Sequence, residues 1–193
     1  MKNFTLNKYL VISVMGPHAG ESEEEIFRRK IEDTHRMGKT FWLMRSWQAK
    51  PFMVQAICRE AERKNNNVFS VFVAPSSVGG SDPTKASEAA VHYSQDGKKW
   101  ERLPAGLTPI TGKMGTNAYA LIFNELKLAK GEIDLWDYAD FFNQNNPIKI
   151  MQGASTLCAI KKDMSSYKDK IKSHYRKIVA IGKLCGPYCV WLK

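Results

Sequence analysis

Three segments of the chain carry the residues best suited to bind or transform a ligand. The first holds His18 and Glu21, whose imidazole and carboxylate could transfer protons. The second is Ser46-Trp47-Gln48, where an indole can stack on a base while polar side chains hydrogen-bond to it. In the third, backbone N–H groups and hydroxyls can approach an anion closely; its residues are Ser76, Ser77, Gly79, Gly80 and Ser81.

The third segment has two interpretations that the sequence leaves open, a phosphate-binding nest and a flexible linker. It contains neither G-K-[ST] nor G-x-G-x-x-G. Ser46 and Ser76 are possible nucleophiles, but no spacing couples either of them to a base. The four histidines fit no metal-ligand pattern. The sequence therefore leaves catalysis open and predicts neither a metal nor a cofactor.

Each of these segments follows a predicted strand. The apolar runs Tyr9–Met15, Thr40–Arg45 and Val68–Val73 are typical of buried strands. Between them, a capping box at Ser22–Glu25 begins one helix, and Pro51 suits the first turn of another. The order β-α-β-α-β predicts a parallel sheet, in which ligands bind beyond the carboxyl ends of the strands. We therefore expect all three segments at one edge.

The rest of the chain predicts a more antiparallel continuation of the same sheet. Asp96-Gly97 between strand-like flanks indicates a hairpin over 91–103. Further strands and short helices are predicted at Tyr119–Phe123 (strand), Asp134–Phe142 (helix), Thr156–Ile160 (strand), Ser166–His174 (helix) and Ile178–Leu184 (strand). The predicted fold is one α/β domain over 1–193, with a parallel part over 1–75 and a mixed, antiparallel part with short helices over 76–193.

The charge is unevenly distributed along the chain. The net charge is +10. The segment from Lys149 onward contains ten Lys and Arg residues and two Asp, which gives it a net charge of +8. Such asymmetry favours an anionic partner, a nucleotide or a nucleic acid, although a solvated basic face is the alternative. Basic residues alternate with aromatic ones here, as in surfaces that contact phosphates and stack on bases. The predicted contacts are Lys168, Lys170, Lys172, Arg176 and Lys177.

The cysteines and the hydropathy indicate the compartment. Four scattered cysteines in 193 residues are too few for a disulfide-stapled secreted domain, which predicts a reducing, cytoplasmic setting. No apolar run approaches the roughly 18 residues of a membrane span. We therefore expect no membrane partner, and a protein partner stays possible.

Two cysteines lie close together near the end of the chain, in Cys185-Gly186-Pro187-Tyr188-Cys189. The segment resembles the C-G-P-C of thioredoxin-like oxidoreductases and the C-P-Y-C of glutaredoxins, with one residue more. A redox pair needs a helix after its first cysteine to lower the thiol pKa, and only four residues follow Cys189. We instead expect a turn at Gly186-Pro187, after which a last strand folds back and the two cysteines face each other.

One segment resembles a known family. Phe41–Trp47, FWLMRSW, resembles the opening strand of EVE and YTH domains, in which an aromatic and aliphatic strand ends in Lys-Ser or Arg-Ser. Arg45-Ser46 corresponds to that ending. The resemblance implies a PUA-like fold that holds a modified base in an aromatic cage.

The sequence favours a cytoplasmic binding protein for a nucleotide or nucleic acid, held by the three segments and the basic tail. The first alternative is a nucleotide-processing hydrolase or transferase that uses His18 or Glu21. The others are a PUA/EVE-like reader of a modified base and a protein-interaction module of a mobile element.

Overall fold

The computed structural model describes residues 8–15, 21–44, 49–75, 90–107, 119–143, 156–163 and 174–193. The first elements are β1 (Tyr9–Val14), α1 (Glu23–Met37), β2 (Thr40–Met44), α2 (Pro51–Arg63) and β3 (Val68–Val73). Next come β4 (His92–Ser94), β5 (Glu101–Arg102), β6 (Tyr119–Asp134), β7 (Tyr138–Asp140), β8 (Thr156–Lys161) and β9 (Tyr175–Leu192), with a 3-10 turn at Leu135–Asp137 before β7.

The two helices begin where the sequence predicts. Ser22 Oγ accepts the backbone N–H of Glu25 at 3.3 Å, and the Glu25 carboxylate accepts the backbone N–H of Ser22 at 2.8 Å. This reciprocal pair satisfies two donors that a helix start leaves open. Gly38 ends α1 at φ 71°, a conformation that glycine adopts without steric cost. Pro51 is the first residue of α2.

All the described strands join one mixed sheet, so the prediction of an α/β fold is confirmed at that level. Its order is β2-β6-β9-β3-β1-β8-β7, and β4, which pairs with β5, is attached to the end of β9. β1 and β3 are parallel neighbours, paired from Tyr9↔Val68 to Val14↔Val73. The remaining pairs are antiparallel.

The expected row of three parallel strands is wrong. β2 lies at the far end of the sheet and pairs antiparallel with β6, from Thr40↔Phe123 to Met44↔Tyr119. The long strands β6 and β9 lie between it and β3. Following the pair directions across the sheet, β2 runs opposite to β1 and β3. An apolar strand can pair with any neighbour of suitable length, so its own residues do not select the partner.

The second half of the chain confirms the hairpin and corrects two other predictions. β4 and β5 flank the Asp96-Gly97 turn in antiparallel register. The helix expected over Asp134–Phe142 is instead a 3-10 turn followed by β7. The last strand does not fold back, because β9 continues against β6 through Trp191. Of the basic helix expected over Ser166–His174, only His174 lies among the described residues, where it directly precedes β9.

The core lies on both faces of the sheet. One cluster joins α1 and α2 to the sheet, and in it Phe27 stacks on Trp42 with ring centroids 4.8 Å apart and meets Phe72 edge-on at 5.0 Å. A second cluster packs Leu10 and Ile12 of β1 against residues that follow β6. β1 is therefore buried on both faces, as its apolar run predicts. Neither α1 nor α2 is long and apolar enough to cross a membrane.

Candidate functional site

The strand directions separate the strand ends that the sequence placed at one edge. β1 and β3 end side by side at Val14 and Val73, and Val73 pairs with Ile178 near the start of β9. β2 ends at Met44, whose partner Tyr119 pairs with Trp191 near the end of β9. The carboxyl end of β2 therefore lies at the opposite end of β9 from those of β1 and β3. The expectation that the three strands end at one edge is therefore wrong.

Most of the predicted site residues lie outside the described part of the chain. They are His18, Ser46, Trp47, Gln48, Ser76, Ser77, Gly79, Gly80, Ser81, Lys168, Lys170 and Lys172. Their roles stay predictions. The described residues among the predicted site are Glu21, Arg176 and Lys177.

Glu21 is engaged in an ion pair just before α1. Its two carboxylate oxygens accept hydrogen bonds from Arg29 Nε at 3.2 Å and Arg29 Nη2 at 2.7 Å. A bidentate guanidinium contact fixes the orientation of the carboxylate. Glu21 therefore has a structural partner that its predicted role in proton transfer did not include.

Arg176 and Lys177 lie on β9 and not on a helix. Arg176 is buried at 7% exposure, whereas Lys177 is exposed and its carbonyl accepts the N–H of Ala74 at 2.9 Å. Successive residues of a strand point to opposite faces, which accounts for the difference. Of this pair, Lys177 is the one whose side chain faces solvent.

A cleft of about 210 Å³ opens where α1, β3, β6 and β9 meet. Two rows of paired residues cross three strands there, Phe69–Lys183–Glu125 and Val71–Ile181–Lys127. Because opposite residues in neighbouring strands point to the same face, side chains distant in sequence converge on one surface. We call this surface the cleft; it is lined by Thr34, His35, Phe69, Asn124, Glu125, Leu126, Lys127, Ile181 and Lys183.

The cleft combines positive charge with apolar surface. Lys183 Nζ lies 3.4 Å from a carboxylate oxygen of Glu125, which is 68% exposed, and Lys127 supplies a second cation. Two lysines and one glutamate give it a charge of +1 when His35 is neutral. Phe69, partly buried, and Ile181, buried, supply the apolar part. This arrangement can bind a small anion that also carries an apolar or aromatic group.

Buried charges hold the α1 wall of the cleft in place. Asp33, fully buried, accepts hydrogen bonds from Arg36 at 2.9 Å and from the Thr40 hydroxyl at 3.2 Å. Arg36 also donates to the carbonyl of Gly106. These contacts tie the C-terminal half of α1 to the start of β2 and to the segment after β5.

Lys30, one helical turn before Thr34, adds a buried cation to this wall. Its Nζ lies 3.9 Å from Asp33 Oδ2, and its side chain is 7% exposed. Burial lowers the pKa of Lys30 to about 8, because desolvation of the ammonium outweighs the attraction of Asp33. A distance of 3.9 Å is too long for a hydrogen bond, which explains why the attraction is the smaller effect.

The cysteines belong to the core. Cys58, Cys158 and Cys189 are buried in the cluster between the helices and the sheet, and burial raises the pKa of the last two to about 12. Cys185 packs against a different cluster, so it does not face Cys189. Thiols with raised pKa values stay protonated and are poor nucleophiles. Within the described ranges, no group of three or more His, Cys, Asp or Glu could hold a metal ion.

The cleft was missed by reasoning from the sequence. Exposed Glu125 and Lys127 alternate with buried Leu126, a pattern that indicates a strand with one solvent-exposed face. No local signal, however, places Phe69 or Lys183 beside them, because those contacts join strands more than 50 residues apart in the chain. Comparisons of the chain with protein families, curated proteins and solved structures found no match.

Proposed function

We propose that the protein binds a nucleotide, free or as a unit of a nucleic acid, in the cleft. The observation that carries this proposal is the row Phe69–Lys183–Glu125 with Lys127 beside it, which combines an aromatic ring and two cations around one cavity. A base can stack on the ring while the ammonium groups contact phosphate oxygens. This site differs from the three segments that the sequence favoured.

The size of the cleft supports a small ligand. Its volume of about 210 Å³ is below the roughly 300–1,000 Å³ of pockets that enclose drug-sized ligands. One base with its phosphate extending into solvent suits such a space better than a dinucleotide cofactor does. Asn124, exposed at the rim, offers an amide donor and acceptor for the edge of a base.

The net charge of +10 supports an anionic ligand independently. A strongly positive protein attracts phosphate-bearing ligands over long distances, and this attraction weakens with salt. Glu125 opposes that attraction locally, but its carboxylate is largely exposed and its ion pair with the partly exposed Lys183 is weak, so a phosphate can compete for the ammonium.

The proposal is tested by calorimetric titration with nucleoside mono- and triphosphates at low and high salt. We expect Lys127→Ala and Lys183→Ala each to weaken binding about fivefold, since a partly exposed charged contact contributes roughly 1 kcal/mol. Phe69→Leu removes the stacking ring and should weaken it about tenfold. Lys64→Ala, at an exposed lysine beyond the end of α2, is the matched control and should change nothing.

Two results would contradict the proposal. One is the absence of binding to every nucleotide at low salt. The other is binding that all three cleft variants leave unchanged while each remains folded, which would place the ligand elsewhere on the molecule.

A further inference from the structure

A second surface that combines aromatic rings with lysines lies on the β4–β5 hairpin. Its turn is held by side-chain acceptors, because Asp96 Oδ1 accepts the backbone N–H groups of Lys98 at 2.8 Å and Lys99 at 2.9 Å. Ser94 Oγ accepts the N–H of Gly97 at 2.9 Å. Both lysine side chains are exposed. The turn therefore presents two cations from a backbone that is already ordered.

Trp100 follows these lysines, and a third cation covers its ring. Lys193 Nζ lies 4.2 Å from the centroid of the Trp100 ring, and Lys193 is exposed. An ammonium group is strongly hydrated, so the ring face that it covers lies at the boundary with solvent. We call Lys98, Lys99, Trp100 and Lys193 the hairpin surface.

The hairpin surface rests on a firm base. The backbones of His92 and Lys193 exchange hydrogen bonds of 2.9 and 3.1 Å, and Tyr93 pairs with Leu192. Behind the turn, the Trp191 indole lies so close that a Cβ added at Gly97 would be 3.6 Å from its ring. These contacts fix the position of Trp100 and the lysines relative to the main sheet.

The acidic side chains near this surface have partners of their own. The Asp96 carboxylate is turned to the backbone of the hairpin, and the Glu101 carboxylate accepts the Tyr93 hydroxyl at 2.7 Å. Three lysines outnumber these two carboxylates. The surface is therefore positive and contains an aromatic face that a planar group could cover.

We propose that the hairpin surface is a second binding site, for single-stranded nucleic acid. A base stacks on Trp100 and displaces the Lys193 ammonium from the ring, after which Lys193, Lys98 and Lys99 contact phosphates. An acidic peptide is disfavoured as the occupant, because a carboxylate is repelled by the negative face of the indole. This inference does not depend on the cleft, from which the hairpin surface differs in residues and position.

The test is the binding of a 12-nucleotide oligothymidylate with a 5′ fluorophore, followed by fluorescence anisotropy in a salt series. We expect Trp100→Leu to weaken binding about tenfold and Trp100→Phe, which keeps an aromatic face, to weaken it less than threefold. The double change Lys98→Ala/Lys99→Ala removes two cations that neutralise phosphates. It should reduce the steepness of the salt dependence by about 1.4, since each neutralised phosphate of a single strand contributes about 0.7.

Trp136 provides a matched control. Lys162 Nζ lies 5.5 Å from its ring, but that ammonium also donates to the Trp136 carbonyl at 2.6 Å, which anchors it. We expect Trp136→Leu to bind the oligonucleotide like the wild type. Melting temperatures check that each variant is folded. Lys98 and Lys99 are exposed, so their replacement should leave the fold intact, and the double variant tests the site even if Trp100→Leu unfolds.

The outcomes separate this inference from the proposed function. The hairpin site is overturned if Trp100→Leu binds the oligonucleotide as tightly as the wild type, whatever the cleft binds. If Trp100→Leu unfolds, unchanged binding and an unchanged salt dependence in Lys98→Ala/Lys99→Ala overturn it instead. The hairpin site is also overturned if an acidic peptide competes with the oligonucleotide and the Trp100 variants leave the oligonucleotide affinity unchanged. Weakening by the hairpin variants supports it even when no mononucleotide binds the cleft. Loss of mononucleotide binding in the cleft variants concerns the cleft alone.

Discussion

The cleft and the hairpin surface differ in how far apart their residues lie in the chain. The cleft joins side chains from α1, β3, β6 and β9, between Thr34 and Lys183. The hairpin surface takes three consecutive residues, Lys98 to Trp100, and closes on Lys193. A local turn signal therefore suffices to predict where the hairpin lies, whereas the cleft exists only once four elements have packed.

The two regions nevertheless share one strand. β9 contributes Ile181 and Lys183 to the cleft, and Lys193 pairs with β4 directly after that strand ends. Because β9 is bulged between the two regions, the spacing is taken from β6, where the partners of Lys183 and Trp191 are Glu125 and Tyr119; six residues at about 3.3 Å each give roughly 20 Å. A mononucleotide cannot reach both, but their stabilities are coupled through the pairing of β9.

The largest expected effect comes from removing the last six residues, Tyr188 to Lys193. These include Cys189, Val190 and Leu192, all buried, and they pair with both β6 and β4. Their loss should cost roughly 5 kcal/mol, comparable to the whole stability of many domains. We expect the shortened chain to be unfolded at 25 °C by circular dichroism, with both binding activities gone.

Removal of Lys193 alone is the control for this change. It leaves the buried residues of β9 in place, so the chain should stay folded while oligonucleotide binding weakens. A chain shortened by all six residues that still melts cooperatively would show that the cleft folds without the hairpin.

The next effect concerns the buried amine in the cleft wall. Because the pKa of Lys30 falls to about 8 in the folded protein, its charged form costs stability below pH 8. Between pH 8 and its unfolded value of about 10.4, the unfolded chain binds more protons, so stability rises with pH. Lys30→Met should raise the free energy of unfolding by about 2 kcal/mol at pH 7, and the gain should shrink toward pH 10.

Urea unfolding at pH 7, 9 and 10 measures this difference. Asp33 keeps Arg36 and Thr40 as partners in the variant, so its carboxylate is not left without hydrogen bonds. Lys39→Met, at an exposed position just after α1, should change stability by less than about 0.5 kcal/mol. If Lys30→Met is less stable than the wild type at pH 7, the attraction between Lys30 and Asp33 outweighs the cost of burying the ammonium.

The smallest effect, with the opposite pH dependence, belongs to the hairpin. The backbone N–H groups of Lys99 and Lys98 lower the pKa of Asp96 to about 2. Such a carboxylate stabilises the fold above about pH 4, and this contribution is lost as the pH falls through 2. Asp96→Ala should lower the melting temperature by roughly 2 °C at pH 7 and by less at pH 3.

Asp96→Asn keeps the acceptor oxygen without the charge and separates the two causes. We expect it to melt close to the wild type at pH 7 and to show a smaller difference on acidification. A deficit of Asp96→Ala that is as large at pH 3 as at pH 7 would show that the carboxylate charge does not stabilise the turn. Mononucleotide binding in the cleft should be the same in all three proteins.

Local signals predicted the elements whose cause is local. The capping box at Ser22, the stop at Gly38 and the Asp96-Gly97 turn each rest on contacts within a few residues, and each is present in the structure. The apolar run of β1 predicted burial on both faces. Gly186-Pro187 was interpreted as a turn before a returning strand, but it lies at a bulge inside β9: four residues separate Leu184 from Cys189, whereas one separates their partners Phe123 and Leu121, and the strand then continues in the same direction.

The sequence by itself determined the mixed α/β composition, the starts of α1 and α2, the hairpin turn and the excess of positive charge, because each depends on residue type or on short-range contacts. Only the tertiary structure decided that β2 runs opposite to β1 and β3, that Arg29 engages Glu21, and that Phe69 lies beside Lys183. Strand partners are selected by the packing of the whole sheet, and any apolar strand of suitable length competes for them. For this reason the sequence placed the ligand at a strand edge, whereas the structure offers a cleft that crosses the strands.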